Sequence, residues 1–157
     1  MQQAFIKTPL GIAVITGDSF GISKISILDD EVSTSAVIPE ELKIAVTQLQ
    51  EYFDGSRQNF DFKINPVGTV FQKRVWEALL NIPFGNTTSY LELSKQLGDF
   101  KAIRAVASAN GKNPLWIIVP CHRVIGSDGS LTGYAGGLWR KKWLLEHECP
   151  PAQGSLF

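Results

Sequence analysis

A cysteine, a histidine and an arginine follow one another at residues 121–123, between an apolar run and a turn. The apolar run, residues 115–119, predicts a buried strand, and residues 127–129 predict the turn. Cys121 would therefore lie where a core element meets a loop, a common location for reactive groups. A histidine and a fixed positive charge both lower the pKa of a nearby thiol, so the triplet indicates a nucleophile. The alternative is that Cys121 is a small buried apolar side chain.

Two short helices are predicted ahead of this triplet. Ser89 and Glu92 have the spacing of a capping box, and the helix that they begin would end at Gly98. A second helix follows over residues 101–110 after a short break. Two short helices joined so tightly predict a helix-turn-helix.

The second of these helices has an apolar and a polar side. Ile103, Val106 and Ala107 would pack inward. The polar residues recur at spacings of three and four; they are Lys101, Arg104, Ser108 and Lys112. Alanines such as Ala105 keep the helix slim, so it could approach DNA closely with Arg104 projecting from its centre. The alternative is a helix packed on a neighbour, with Arg104 in solvent.

Charge is divided unevenly along a chain whose net charge is zero. Residues 1–66 contain five basic and nine acidic residues, whereas residues 67–157 contain ten and six. Seven of the basic residues lie between positions 101 and 142, where Asp128 is the only acid. Such a cluster is typical of a phosphate-binding face, and also of an ordinary solvated surface.

The elements around these residues predict an α+β protein. Residues 1–66 predict a small N-terminal antiparallel sheet of three strands, with a helix that begins at Pro39, ends at Gly55 and buries Leu42, Ala45, Leu49 and Phe53. A last strand and a linker are expected over residues 61–68. Residues 67–149 predict a mostly helical, winged-helix-like domain that contains the helix-turn-helix, and residues 150–157 predict a flexible tail.

A glycine-containing loop and a final helix follow the triplet. The loop, residues 127–137, surrounds Tyr134, whose ring could stack on a planar base. The final helix ends at Glu148, and its Trp139, Trp143 and Leu144 are predicted to be core residues.

The sequence contains no stretch near the roughly 18 apolar residues of a membrane span and no signal-peptide pattern. We therefore expect a cytoplasmic protein without a membrane partner. Two cysteines cannot form a disulfide framework, and a reactive thiol suits a reducing compartment.

Several of these segments together resemble the active-site signature of the DNA-protein cysteine alkyltransferases that repair O6-alkylguanine. The resemblance runs over about residues 67–148, and its segments are residues 113–114, 120–124, 132–137 and 143–145, with Glu148 at the expected place. The expected fold is the one described above, and the expected activity is the transfer of an alkyl group from DNA to Cys121.

The resemblance implies a role for each catalytic candidate. Glu148 orients His122, which takes the proton of Cys121 through a water molecule. A water is needed because adjacent side chains of an extended segment point to opposite sides. Tyr90 donates a proton or a hydrogen bond to the base, and Asn113 holds the thiol and the neighbouring backbone. The alternatives are a surface acid for Glu148, half-buried packing for Tyr90 and a turn-former for Asn113.

The resemblance also implies a set of DNA contacts. Arg104 would fill the space left by a flipped nucleotide while its helix lies in the minor groove. The predicted DNA-binding residues are Arg104, Lys101, Ala105, Ser108, Arg123 and Ser127. The predicted alkylguanine pocket consists of Tyr134, Ala135 and Val124. Ala135 stands where many relatives have serine, so any contact to O6 there would come from backbone N–H alone.

The expected function is therefore one-turnover repair of O6-alkylguanine, and of O4-alkylthymine, in double-stranded DNA by a monomer. No cofactor and no metal are expected, because the N-terminal zinc ligands of some family members are absent. Residues 153–157 resemble a peptide by which bacterial proteins dock on the sliding clamp. The alternatives are a non-catalytic binder of alkylated DNA, a cysteine hydrolase and a transcriptional regulator.

Overall fold

The computed structural model describes residues 1–131, 134 and 136–149 of the chain. This part contains five β-strands and five α-helices, with three short 3-10 helices. It divides into two compact units. The first unit is Met1–Val67 together with Pro114–Trp116, and the second is Gly68–Asn113 together with the described residues from Ile117 onward. No pattern in the sequence indicated that residues 114–116 would join the first unit.

The first unit contains the predicted antiparallel sheet. Its strands are β1 (Gln2–Thr8), β2 (Gly11–Asp18) and β3 (Gly21–Leu28), paired in that order. Two-residue connections join them, since Thr8 pairs with Gly11 and Asp18 with Gly21. Short connections of this kind favour antiparallel neighbours. The observed antiparallel pairing confirms the prediction of three strands.

The predicted helix of the first unit is also confirmed. A 3-10 turn, Glu40–Leu42, leads into α1 (Lys43–Asp54), which ends at Gly55 with φ of 88°. Glycine adopts this left-handed conformation without a Cβ clash, which explains the stop. Leu42, Ala45 and Leu49 are fully buried as expected, but Tyr52 occupies the core in place of the half-buried Phe53.

Two predicted strands are wrong. Residues 61–68 are irregular except for one bridge between Ile64 and Ile22. Residues 115–119 are buried, but they form turns, with one bridge between Leu115 and Ile25. An apolar run of five residues indicates burial, but its periodicity does not show whether the backbone forms a strand, a helix or a turn.

The second unit begins with three helices. Thr69 caps α2 (Val70–Leu80) through a capping box with Gln72. Ser89 caps α3 (Tyr90–Gln96) by accepting a hydrogen bond from the Glu92 N–H. A 3-10 turn, Phe100–Ala102, then leads into α4 (Ile103–Gly111), which confirms the helix-turn-helix.

Two further elements complete the second unit. Parallel strands β4 (Thr88–Ser89) and β5 (Val124–Ile125) pair across 36 residues of sequence and bring the start of α3 beside the Cys121 segment. The last helix is α5 (Leu138–Glu148). Within the described residues, none of the helices reaches the length and apolar character required to cross a bilayer.

The burial of α4 and α5 differs from the prediction. In α4 the buried residues are Val106, Ala109 and Asn110, whereas Ile103 and Ala107 are exposed. In α5 Leu144 is buried as predicted, but Trp143 is half-buried and Trp139 is 58% exposed. Arg140, Lys141 and Glu148 of α5 are buried instead. These charged side chains have partners that a helical pattern cannot reveal.

Candidate active site

Cys121 lies on a buried 3-10 turn, Cys121–Arg123, and is 7% exposed. The Cys121 N–H donates to Val119 O at 2.8 Å, and the Arg123 N–H donates to Pro120 O at 3.0 Å. Because the segment is helical, the expectation that Cys121 and His122 point to opposite sides of an extended chain is wrong. Ile117, just before the turn, has φ of 71°, which costs energy in a β-branched residue and must be held by its surroundings.

Two asparagines from the end of α4 hold this turn. Asn113 Nδ2 donates to Val119 O at 2.7 Å, and Asn110 Nδ2 lies 3.5 Å from Cys121 O. Asn113 therefore contacts the backbone just before the Cys121 turn, and its role in the reaction stays a prediction. Asn110 was missed, although a polar residue on the buried side of a helix is a signal that could have found it. Through these residues α4 is joined directly to the turn that carries the thiol.

A buried network joins the other two residues of the turn to Glu148 at the end of α5. His122 Nε2 lies 2.7 Å from Glu148 Oε2. Arg123 donates to the same carboxylate through Nε at 2.7 Å and Nη2 at 3.0 Å, and through Nη1 to Ile82 O at 2.6 Å. The guanidinium also lies over the Phe84 ring, 5.9 Å from its centroid. Glu148 is thus a buried carboxylate, and the surface-acid alternative is excluded.

The prediction that Arg123 contacts DNA is wrong. Its side chain is only 8% exposed, and its donors are directed at Glu148 and a backbone carbonyl. The charge next to the cysteine therefore serves to neutralise Glu148 in the interior.

The network fixes the protonation of His122 and Glu148. Burial raises the pKa of Glu148, but His122 and Arg123 outweigh it and lower the value to about 2. Burial lowers the pKa of His122, and the opposing attraction of Glu148 does not fully offset it. A neutral His122 that donates from Nε2 to the carboxylate keeps a lone pair on Nδ1. Among the described residues, this buried Nδ1 has no hydrogen-bond partner, so it can accept a proton.

The environment of Cys121 acts on the thiol in two directions. Burial raises its pKa, while hydrogen bonds from Asn113 and Tyr134 and the positive charge of Lys141 lower it. The net shift is upward, so the resting group is the thiol. A nucleophilic sulfur at neutral pH therefore requires a base to remove its proton.

Two tyrosines lie on the borders of this region. Tyr90 is half-buried at the start of α3, which β4 and β5 bring next to the turn, and its ring centroid is 5.9 Å from Lys141 Nζ. Tyr134 is half-buried in the glycine-containing loop, and its side chain lowers the pKa of the Cys121 thiol. Lys141, which lies beside the Tyr90 ring, was not among the site residues predicted from the sequence.

The predicted DNA-contact residues of α4 are all at the surface. The exposed residues are Lys101, Arg104, Ala105, Ser108 and Lys112, and Ser127 in the next loop is exposed as well. The basic cluster of the sequence therefore separates into two sets. Lys101, Arg104, Lys112 and Lys142 face solvent, whereas Arg123, Arg140 and Lys141 are buried. Only the first set is available to phosphates.

The remaining predicted residues are Val124, Ala135 and those of the tail. The Val124 side chain is fully buried, so Val124 could reach a base only through its backbone. Ala135 and the predicted tail, residues 150–157, lie outside the described residues. Among the described residues, no group of three His, Cys, Asp or Glu side chains is arranged to hold a metal ion.

The fold and the site together define a helix-turn-helix unit with a buried cysteine and an adjacent buried histidine. Comparisons with known proteins agree with this class. Residues 70–149 match the DNA binding domain of 6-O-methylguanine DNA methyltransferase, and residues 1–66 match its ribonuclease-like domain. The chain therefore belongs to the methylated-DNA–protein-cysteine methyltransferase family.

Individual relatives are similar over nearly their whole length. A methylated-DNA–protein-cysteine methyltransferase of Methanosarcina acetivorans is 46% identical over 153 residues, which cover 94% of this chain and 98% of the relative. The protein of the same description from Mycobacterium tuberculosis is 44% identical over 155 residues, which cover 96% of this chain and 94% of the relative. The crystal structure of Mycobacterium tuberculosis OGT in complex with DNA has a TM-score of 0.83 at 46% identity and covers 92% of this chain and 90% of that one.

Proposed function

We propose that this protein repairs DNA by transferring the alkyl group of O6-alkylguanine irreversibly to Cys121. The observation that carries the proposal is the buried Cys121–His122–Glu148 arrangement, in which the acceptor nitrogen of His122 is left without a protein partner among the described residues. The relatives named as methylated-DNA–protein-cysteine methyltransferases support the same reaction.

The reaction is a displacement at the alkyl carbon. The proton of Cys121 passes to His122 Nδ1 through a water molecule, and Glu148 stabilises the imidazolium that forms. The sulfur electron pair forms the S–C bond while the C–O6 bond breaks, and the bonding electrons leave with guanine. Tyr90 donates to the departing base, whose charge must be neutralised. The thioether has no leaving route, so each molecule reacts once.

The substrate base must leave the helix stack, because a buried thiol cannot reach O6 inside a duplex. Arg104 is exposed on α4, the helix whose end holds the Cys121 turn through Asn110 and Asn113. We infer that α4 binds the minor groove and that Arg104 occupies the space of the flipped nucleotide. Lys101, Ser108 and Lys112 then face the backbone phosphates.

Replacing Arg104 with alanine is expected to slow methyl transfer from duplex DNA by at least about tenfold. A loss of about 1.4 kcal/mol in the stabilisation of the flipped state is enough for this factor. The rate of methyl transfer from a single-stranded methylated oligonucleotide should fall much less, because less base stacking has to be overcome. Rates on the two substrates are measured by transfer of label. Lys73→Ala removes an exposed charge of the same unit, on α2, and should leave the ratio of the two rates unchanged. An equal loss on both substrates would contradict the flipping role.

Four finer expectations remain predictions from the sequence. They are reaction with O4-alkylthymine, a monomeric state, a cytoplasmic location and binding of residues 153–157 to the sliding clamp. O4-alkylthymine presents the same alkyl–oxygen bond to the sulfur as O6-alkylguanine, which supports its inclusion.

Incubation with DNA that contains radiolabelled O6-methylguanine tests the proposed function. The expected result is one label per protein molecule, attached to Cys121 and located by peptide mass spectrometry. Binding to this DNA without label transfer would indicate the alternative, a non-catalytic binder. Repeated turnover would indicate a cysteine hydrolase, and either of these results would overturn the proposal.

A further inference from the structure

Helix α5 begins with a buried arginine beside an exposed tryptophan. Arg140 is only 4% exposed, whereas the preceding residue, Trp139, is 58% exposed. Hydropathy favours the reverse, because an arginine is almost never fully buried unless its guanidinium is paired. The proton transfer from Cys121 to His122 uses neither residue. Their placement therefore needs a separate explanation.

The side chain of Arg140 reaches back to the glycine-containing loop. Arg140 Nη1 donates to Gly136 O at 2.8 Å, and the guanidinium carbon lies 4.6 Å from the centroid of the Trp139 ring. An aromatic face attracts a cation at this distance, so the indole stabilises the guanidinium. Arg140 therefore joins the first turn of α5 to the end of the loop.

The end of the loop is packed closely around this arginine. A Cβ atom at Gly136 would lie 3.1 Å from Tyr134 Cε2 and 3.4 Å from Arg140 Cδ, so the Gly136 backbone is close to both side chains. A Cβ atom at Gly137 would lie 3.3 Å from Trp139 Cδ1. The Gly137 N–H donates to Tyr134 O at 2.9 Å and closes the turn. Side chains and backbone from residues 134 to 140 thus hold one another.

Tyr134 connects this turn to the reacting sulfur. Burial raises the pKa of the Cys121 thiol, and the Tyr134 side chain is among the groups that lower it. The ring is also the predicted stacking surface for a planar base. A ring carried by a loop serves either purpose only while the loop keeps one conformation, since a misplacement of about 1 Å can slow a reaction about 100-fold.

We propose that Arg140 is a positioning residue that fixes the turn at residues 134–137, and with it the Tyr134 ring, for the reaction of the alkylated base with Cys121. This inference rests on the proposed function and adds a residue to it. Arg140 acts through its hydrogen bond to Gly136 O. Trp139 covers one face of the guanidinium and so limits the access of water that would compete for this bond.

The test compares Arg140→Met with the native chain in single-turnover transfer from duplex DNA that contains labelled O6-methylguanine. Methionine keeps an unbranched apolar stem and removes the donors. We expect the rate at saturating DNA to fall about tenfold, because the ring is no longer held for the base. The DNA concentration that gives half the maximal rate should change less than about twofold, because the helix that we propose binds DNA is not altered.

A double-mutant cycle shows whether Arg140 acts through Tyr134. In a Tyr134→Ala chain, Arg140→Met should lower the rate less than about twofold, because the ring that it positions is absent. Arg140→Lys keeps a cation that can donate to Gly136 O and should retain a rate within about threefold of the native one. Trp139→Ala uncovers the guanidinium and should cost about threefold. Lys142→Met removes an exposed charge from the next position and should leave the rate unchanged.

Hydrogen exchange of the Gly137 amide provides a measurement without DNA. This N–H is bonded to Tyr134 O, so it should exchange at least about tenfold faster in Arg140→Met than in the native chain, while exchange within α2 stays the same. Circular dichroism and urea unfolding establish that each variant is folded. If Arg140→Met does not fold, Arg140→Gln and Trp139→Ala replace it in both measurements.

Three results would overturn the inference. They are a native rate of transfer in a folded Arg140→Met chain, an equal loss of rate in the native and Tyr134→Ala backgrounds, and unchanged exchange at Gly137. A native chain that transfers no methyl group would instead refute the proposed function. The exchange measurement would then still decide whether Arg140 holds the turn, because it requires no reaction.

Discussion

Replacing Cys121 with serine is expected to abolish methyl transfer while leaving binding to methylated DNA intact. A hydroxyl group remains protonated at neutral pH, and His122 cannot activate it for displacement at carbon as it does a thiol. The exposed residues of α4, which we propose bind DNA, are unaffected by the substitution. The measurements are label transfer from O6-methylguanine DNA and the dissociation constant for the same duplex.

The matched control is Cys149→Ser. Cys149 follows the last residue of α5 and is only partly buried, so its replacement should leave one methyl group bound per molecule. Transfer that persists in Cys121→Ser, or transfer that is lost in Cys149→Ser, would show that Cys121 is not the acceptor.

Replacing Glu148 with glutamine is expected to lower the free energy of unfolding by about 3–5 kcal/mol, because it leaves Arg123 as an uncompensated buried charge. The side chains of Glu148 and Arg123 are 1% and 8% exposed, so solvent cannot replace the lost partner. Methyl transfer should fall as well, since the imidazolium of His122 loses its counter-charge. Urea unfolding and label transfer are the two measurements.

Glu146→Gln is the control for this substitution. Glu146 lies on the same helix, with its carboxylate 3.9 Å from Lys142 Nζ near the surface. Its loss should change the free energy of unfolding by less than about 0.5 kcal/mol. Equal effects of the two substitutions would show that the buried network is not a main source of stability.

The same network makes the free energy of unfolding depend on pH. The pKa of His122 is lowered from its ordinary 6.5, chiefly by burial, so the unfolded chain binds this proton more readily than the folded one. Stability from His122 is therefore complete above pH 6.5 and decreases as the pH falls below it. Glu148, whose pKa is about 2 when folded, adds a second loss that begins below its ordinary 4.5. In Glu148→Gln this second loss should be absent, and urea unfolding at pH 7, 5.5 and 4 measures both.

Local structure could be predicted where a few neighbouring residues decide it. The cap at Ser89 and the stop at Gly55 depend on contacts within one turn of the helix. The three-stranded sheet is equally local, because each strand pairs with the next through a two-residue connection. The parallel pair β4 and β5 escaped prediction, since its two dipeptides are far apart in the sequence.

The sequence by itself predicted the candidate reactive group and its chemical class, because residues 120–124 and their neighbours form a pattern that can be read without coordinates. Only the tertiary structure decided where each charge lies. Arg123 is bonded to Glu148, 25 residues away, and to the carbonyl of Ile82, 41 residues away. Lys141 is buried although its helix carries an exposed tryptophan. A charged side chain enters the interior only where a distant partner stabilises it, and no local pattern records that partner.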